Sequence, residues 1–159
     1  MTSQARSPQD LITTFYTAFS QRDYATMAAC YHPQARFNDP VFSLAGEDIG
    51  HMWRMLCERA EQFSLTFTVT ERNGQVTAHW EPRYRFSQTG RMVHNIIDAR
   101  FRFQDGLIIE HDDVFSFWRW SRQALGMAGV LLGWTPLLQQ KVKAQAGKGL
   151  RAFIARLKG

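Results

Sequence analysis

The strongest structural constraint in the sequence is a strict alternation of apolar and polar residues over residues 63–72, FSLTFTVTER. Because successive side chains of a β-strand point to opposite faces, this alternation predicts a strand with one buried face. Asn73-Gly74 follows directly, and this dipeptide favours the two-residue turn of a β-hairpin. Three further strands are predicted, over residues 76–86, 92–103 and 107–118. We therefore expect a meander of long antiparallel strands.

Helical patterns occupy most of the sequence before this meander. Ser7-Pro8 offers a capping side chain and a proline suited to the first helical position, and apolar residues follow at helical spacing. Asp23 is expected to cap a short second helix that ends at His32-Pro33, and residues 46–60 predict a third helix. Residues 35–39 alternate like a short strand between the second and third helices. Helices followed by antiparallel strands are typical of an α+β fold.

Length, composition and residue spacing limit the classes of protein to which this chain can belong. The chain has 159 residues, the size of one domain, and its 45% hydrophobic content is ample for a core. The first ten residues contain no apolar signal core, so we expect a cytoplasmic location. Cys30 and Cys57 have neither metal nor redox spacing, and the five histidines lack metal-site spacing. Glycine-rich phosphate loops are absent too. We therefore expect neither a metal nor a cofactor.

The charge is unevenly distributed along the chain. Residues 1–113 hold eleven arginines and all fourteen acids, whereas residues 114–159 hold eight cations and no acid. Residues 138–157 also show a basic amphipathic helical pattern, interrupted by Gly147 and Gly149. Three interpretations stay open for this segment: an arm packing over its own domain or a dimer mate, a contact with a membrane surface or an acidic partner, or nucleic-acid binding. The apolar stretch at 126–134 favours the first. No pattern of a nucleic-acid-binding module is visible, so no nucleic-acid partner is expected.

One carboxylate stands out because of its apolar neighbours. Residues 37–42 read FNDPVF, and alternation places Asp39 on the same strand face as Ala35 and Phe37. An aspartate before proline often starts a turn, which would explain Asp39 structurally. Alternatively, an apolar pocket tunes this carboxylate for chemistry. The sequence leaves both interpretations open.

Two motifs carry a family resemblance. Residues 31–40 read Y-H-P-x-A-x-F-x-D-P, and residues 105–111 read D-G-L-I-I-E-H. Together with the order of helices and strands, they resemble the nuclear transport factor 2-like superfamily, in particular its SnoaL-like and ketosteroid-isomerase-like branches. The resemblance covers about residues 8–118, which we interpret as one domain, and residues 119–159 form a basic helical C-terminal extension. It implies a cone-shaped α+β fold, with three helices packed on a strongly bent antiparallel sheet around an apolar pocket, and a homodimer.

The resemblance also suggests site residues. Asp39 stands where ketosteroid isomerases have their general base. Phe15 falls where the family has a tyrosine, Asp98 is displaced to the outer strand face, and Ser116 replaces an aspartate of SnoaL-like cyclases. His111 and Asp113 share a strand face, and they are candidates for a catalytic acid–base pair beside Asp39. The residues expected to line the pocket are Phe15, Tyr16, Phe37, Trp53, Phe101 and Phe115.

Two functional hypotheses follow. In the first, the chain binds a small apolar molecule and acts as an acid–base enzyme, such as an isomerase, cyclase or hydratase, with Asp39 as the base. In the second, it is a non-catalytic ligand-binding or interaction module that works through its dimer surface and basic extension. The sequence alone does not decide whether the chain is an enzyme.

Overall fold

Three helices precede and interrupt the first strands of the fold. The computed structural model describes residues 6–159. The N-terminal elements are helices α1 (Pro8–Ser20) and α2 (Tyr24–Ala29), strands β1 (Tyr31–Asn38) and β2 (Ser43–Ala45), and helix α3 (Glu47–Arg59). Ser7 and Asp23 cap α1 and α2, accepting hydrogen bonds from the backbone N–H groups of Asp10 and Thr26. The two predicted helix starts therefore stand at the expected residues.

The remaining strands and helices follow in two blocks. Strands β3 (Glu61–Arg72), β4 (Gln75–Arg85), β5 (Met92–His94), β6 (Ile97–Gln104) and β7 (Leu107–Val114) form the meander. Helices α4 (Phe117–Leu125), α5 (Met127–Leu132) and α6 (Pro136–Lys158) form the C-terminal extension. None of the helices of residues 6–159 is both long and apolar enough to cross a lipid bilayer.

The sheet is strongly curled but unclosed. Its strands lie in the order β2-β1-β7-β6-β4-β3, and β5 also pairs with β4. All pairs are antiparallel except β1 with β7, which run parallel. The expectation of a purely antiparallel sheet is corrected accordingly. The parallel pair is possible because the long segment from β2 to β6 returns the chain to β1 in the same direction.

Several element boundaries differ from the sequence-based ones. Tyr31 belongs to β1 rather than to the second helix, because it pairs with Ile108 of β7. The predicted strand over 92–103 is interrupted at residues 95–96, opposite Pro82, which has no N–H for the ladder. The last predicted strand ends at Val114.

The C-terminal extension shares the main core of the domain. Leu150 and Phe153 of α6 are buried in the same cluster as the aromatic residues of α1 and α3. The Arg59 guanidinium lies over the Phe153 ring at 5.6 Å, and the Gln139 side chain donates to the Pro40 carbonyl oxygen at 3.0 Å. Helix α4 begins at Phe117, so the expected boundary at 118/119 falls inside a helix. The extension thus packs over its own chain through α6.

The apolar stretch at 126–134 does not take part in that packing. Its large side chains are exposed, although the sequence suggested that they pack over the domain. Gly129 and Gly133 instead bring α5 against Ser121 of α4, and a Cβ on either glycine would overlap atoms of Ser121. The seam between α4 and α5 is therefore made of small residues, which leaves the large apolar ones outside.

Candidate functional site

A cavity of about 510 Å³ lies between the curled sheet, α3 and the extension. This volume is in the range of small-molecule sites in proteins. Its wall is mostly aromatic and aliphatic, with Trp53 and Trp80 deep inside and Leu138, Val142 and Ala146 of α6 on the outer side. The carboxylates on the wall are Asp39 and Asp113, and the cations are Arg59, Arg85 and Lys141. The three cations are exposed, so they lie towards solvent.

Asp39 is held in a tight turn directly after β1. Its Oδ1 accepts hydrogen bonds from the backbone N–H groups of Val41 and Phe42, both at 2.6 Å. Both bonds fall on one oxygen, so Oδ2 is the oxygen available to the cavity. Burial raises the pKa of Asp39 to about 6, against the lowering effect of those two N–H groups, and the nearby Asp113 charge raises it further. Asp39 is therefore both a turn residue and a carboxylate with strengthened basicity.

A buried chain of hydrogen bonds ends at the second carboxylate. The Trp53 indole N–H donates to the Tyr31 hydroxyl at 3.0 Å, and that hydroxyl lies 2.7 Å from His111 Nδ1. His111 Nε2 lies 2.9 Å from Asp113 Oδ1, which also accepts from the Trp80 indole N–H at 3.4 Å. All five side chains are buried. Trp53 and Asp113 both line the cavity, so the chain passes behind the wall through Tyr31 and His111.

The direction of this hydrogen-bond chain fixes the tautomer of a neutral His111. Burial raises the pKa of Tyr31 well above its usual value, so its phenol stays protonated. Because Trp53 can only donate, the Tyr31 oxygen accepts from it and the Tyr31 O–H donates to Nδ1 of His111. His111 then carries its proton on Nε2 and donates to Asp113. Asp113 is thereby held by two donors on Oδ1.

Tyr84 supplies a hydroxyl on the same wall. Its oxygen accepts from the Trp120 indole N–H at 2.9 Å, which leaves its own O–H free to donate into the cavity. Burial raises the pKa of Tyr84 to about 12; the Trp120 bond lowers it, and the Asp39 charge raises it. The Tyr84 and Asp39 side chains both line this cavity. A carboxylate with a raised pKa and a hydroxyl group therefore line one cavity.

Comparison with known proteins adds the family. A family model described as "SnoaL-like domain" matches residues 12–111. The chain belongs to the SnoaL-like domain family. That match includes Asp39 and His111 and ends before Asp113. No curated protein sequence matches the chain.

Solved structures show the same nuclear transport factor 2-like fold at low identity. A protein with a ketosteroid isomerase-like fold from Catenulispora acidiphila, in complex with trimethylamine, is 14% identical (TM-score 0.65; 82% of this chain and 99% of that one). A protein thought to be a polyketide cyclase from a Silicibacter species is 16% identical (TM-score 0.64; 72% and 92%). An LEH-like epoxide hydrolase from M. tuberculosis is 16% identical (TM-score 0.61; 77% and 92%).

The residues that the sequence suggested for the site fall into two groups by their position in the structure. Asp39, Asp113, Trp53 and Phe115 lie on the cavity wall, and His111 lies behind Asp113. The other four residues expected to line the pocket lie in the core and not on the wall: Phe15, Tyr16, Phe37 and Phe101. They pack edge-on or stacked against Trp53, His111 and Phe67, so this part of the interior is filled by rings. The cavity is displaced towards the extension.

Two of the departures from the family pattern have structural explanations in this SnoaL-like domain. Asp98 is exposed on the outer face of the sheet, as its register implied, and its Oδ1 lies 2.8 Å from His79 Nδ1. Ser116 caps α4 and accepts a hydrogen bond from the Arg119 N–H at 3.2 Å. The chain has already left the strand at this position, so Ser116 serves the helix start. Neither residue contributes to the cavity wall.

Sequence reasoning missed Tyr31, Tyr84 and Trp120 of the SnoaL-like site. Within the predicted strand over residues 76–86, alternation places Tyr84 on the same face as Trp80 and Val76, and this inward face is the signal that could have found it. The role of Trp120 could not be read from the sequence, because its contact with Tyr84 spans 36 residues. Within residues 6–159, no group of three His, Cys, Asp or Glu side chains has the geometry of a metal site.

Proposed function

We propose that the chain is an acid–base enzyme that moves a proton on a small apolar molecule bound in the cavity, as in isomerisation, cyclisation or hydration. One observation carries this proposal: Asp39, whose pKa is raised to about 6, faces the same cavity as the free hydroxyl of Tyr84. A general base works best when its pKa approaches the operating pH, and a carboxyl with pKa about 6 is still mostly ionised at neutral pH.

Proton transfer next to a carbonyl group illustrates the chemistry. Asp39 Oδ2 takes the proton from the carbon beside the carbonyl, and the C–H electron pair moves onto the carbonyl oxygen. The Tyr84 hydroxyl donates a hydrogen bond to that oxygen as its charge develops, which lowers the barrier. In a conjugated ligand, Asp39 then returns the proton to another carbon of the dienolate. Alternatively, the enolate carbon attacks a second carbonyl carbon of the ligand, the π pair of that C=O bond moves onto its oxygen, and this oxygen takes the proton from Asp39. The first outcome is isomerisation and the second is cyclisation.

Asp113 supports the basicity of Asp39, whereas His111 holds Asp113 in place and itself lowers the pKa of Asp39. Asp113 is fixed by His111 and Trp80 on one oxygen, and its charge raises the pKa of Asp39. Two nearby carboxylates resist simultaneous ionisation, so one of them becomes the better proton acceptor. The relatives described as a polyketide cyclase and an epoxide hydrolase are compatible with such chemistry. We therefore assign Asp39 as the base, Asp113 as its electrostatic partner and His111 as the residue that positions Asp113.

Deuterium exchange tests this function without knowledge of the natural substrate. The full chain is incubated in D2O with a panel of apolar cyclic ketones, from 2-tetralone to androstenedione, and NMR follows exchange at the carbon beside the carbonyl. Asp39→Asn should abolish catalysed exchange, because an amide cannot accept the proton. Tyr84→Phe should slow it on the order of a hundredfold, as expected for loss of one donor to an oxyanion.

The matched control is Asp112→Asn. Asp112 precedes Asp113 but is exposed on the other face of β7, so its removal should leave exchange unchanged. Ketones that bind without any Asp39-dependent exchange would favour the rival, non-catalytic ligand-binding module. Mass spectrometry of molecules that co-purify with the chain would then name the class of ligand.

A further inference from the structure

The α4–α5 hairpin carries a group of large apolar side chains on the surface. We define the hairpin patch as Trp118, Met127, Val130, Leu131, Leu132, Trp134 and Leu137, which are between 39% and 77% exposed. Single exposed apolar residues are normal on a protein surface. Seven of them within twenty residues, on the hairpin, the turn that follows it and the first turn of α6, indicate a surface that is covered in use.

The hairpin is built in a way that keeps these side chains outside. Gly129 and Gly133 approach Ser121 so closely that no larger residue fits in the seam between α4 and α5. The Trp118 indole N–H donates to the Val130 carbonyl at 3.3 Å, and the Trp134 indole N–H donates to the Leu131 carbonyl at 3.0 Å. Both rings are thus fixed by backbone groups of α5 while they stay exposed. Fixed side chains lose little entropy when they bind.

Two arginines lie beside the patch, in a segment of the sequence that carries only positive charge. Residues 114–159 contain eight cations and no acid. The Arg122 guanidinium lies 4.5 Å from the centre of the Trp118 ring, and the Arg91 guanidinium lies beside Gly126 at the α4–α5 turn. Self-association through this face would bring two such cationic segments together, which like-charge repulsion opposes. The charge therefore favours an anionic partner.

We propose that the hairpin patch is a docking surface for an anionic lipid membrane. Tryptophan and leucine side chains flanked by cations are the pattern of segments that lie at the lipid–water boundary, with apolar groups among the acyl chains and cations near the headgroups. Basic segments bind more tightly to an anionic bilayer surface with each Lys or Arg near it. The amphipathic face of α6, which the sequence suggested for this role, is already used to pack against the core. The hairpin patch, by contrast, is apolar surface that stays exposed.

The hairpin also adjoins the cavity. Leu137 belongs to the patch, and its neighbour Leu138 lines the cavity together with Lys141. Gln139 of the same turn binds the Pro40 carbonyl beside Asp39. Docking through the patch would therefore bring this side of the cavity close to the lipid surface. The docking proposal does not depend on the chemistry in the cavity.

Vesicle flotation with the full chain tests the proposal. Vesicles of phosphatidylcholine containing about 30% phosphatidylserine are compared with pure phosphatidylcholine at low and high salt. We expect binding to the anionic vesicles that weakens as salt rises. Leu131→Glu and Trp134→Glu should each lower the partition coefficient on the order of tenfold, since each removes apolar contact and adds repulsion. Point variants are preferred to truncation, because α6 is part of the core.

The matched control is Val114→Glu. Val114 is 56% exposed, similar to Leu131 at 61%, but it lies on the outer face of β7. Its substitution should leave vesicle binding unchanged, and all three variants should keep the wild-type far-UV circular dichroism spectrum. Absence of phosphatidylserine-dependent binding, or equal binding by all three variants, overturns the proposal. Sedimentation that reveals a dimer lost in Trp134→Glu, without vesicle binding, would assign the patch to a second copy.

Discussion

Replacing the proposed base should make the folded protein more stable. Burial raises the pKa of Asp39 from 3.8 to about 6, so the folded state holds its charge less favourably than the unfolded state does. This cost is absent below about pH 3.8, grows between about pH 3.8 and 6, and is complete above about pH 6. The difference in pKa corresponds to at most about 3 kcal/mol.

Asp39→Asn removes the charge and keeps the turn. The amide oxygen of the substituted side chain can accept the same two backbone bonds that Asp39 Oδ1 accepts from Val41 and Phe42. We expect the variant to exceed the wild type in free energy of unfolding by up to about 3 kcal/mol at pH 7.5 and by well under 1 kcal/mol at pH 4. At pH 7.5 the melting temperature should rise by roughly 6–12 °C.

Urea denaturation followed by tryptophan fluorescence measures both free energies. Asp23→Asn is the matched control, because the hydrogen bonds from Thr26 lower the pKa of Asp23 and its charge stabilises the folded state. That variant should lose stability at pH 7.5, the opposite sign. A loss of stability in Asp39→Asn at pH 7.5, or a gain of equal size at both pH values, would refute the assignment of Asp39 as a buried, destabilised charge.

Three further perturbations test other parts of the structure. Gly129→Ala places a Cβ on a backbone carbonyl of α4 and should lower the free energy of unfolding, measured in urea, by about 1–3 kcal/mol. Gly149→Ala has open space around it and should raise that free energy by about 0.5–1 kcal/mol. Effects of the same sign and size would contradict the close α4–α5 contact. Phe153→Ala should cost about 3–5 kcal/mol and speed amide exchange throughout α6, and a small effect would mean that α6 is not part of the core. The pKa of His79 is raised chiefly by Asp98, so the contribution of this pair to stability is lost as the pH rises through that raised pKa. Asp98→Asn should lower the pKa of His79 in an NMR titration. An unchanged pKa would disprove the pair.

The strands with clear alternation could be predicted from the sequence. The β3–β4 hairpin forms around Asn73-Gly74, because the turn dipeptide and the period of two agree. Tyr31 was assigned to a helix because its spacing from Tyr24 and Met27 fits a helical face. Only its pairing with Ile108, 77 residues later, places it in β1. Local pattern therefore failed where a long-range partner decides the conformation.

In the candidate site, too, local sequence pattern predicted contacts between near neighbours but not contacts between distant residues. His111 and Asp113 were paired by their i, i+2 spacing on one strand, and their side chains do form a hydrogen bond. Tyr84 was seen only as an inward-facing aromatic residue, because the partner that frees its O–H, Trp120, lies on a helix of the extension. Tyr16 was expected on the pocket wall, but neighbouring rings enclose it. Which inward residues meet a cavity depends on packing between distant elements.

The residues proposed for the chemistry and the residues that form the outer wall of the cavity lie in different segments of the chain. The segment shared with the SnoaL-like family, residues 12–111, carries Asp39, whereas Trp120, Leu138 and Val142 of the outer wall lie beyond it. Substitutions in α6 should reshape the cavity while the groups proposed for proton transfer, Asp39 and Tyr84, keep their positions. Among relatives that differ in this helix, we expect a common set of polar groups to serve ligands of different size. Ligand selectivity could then diverge through the C-terminal extension alone.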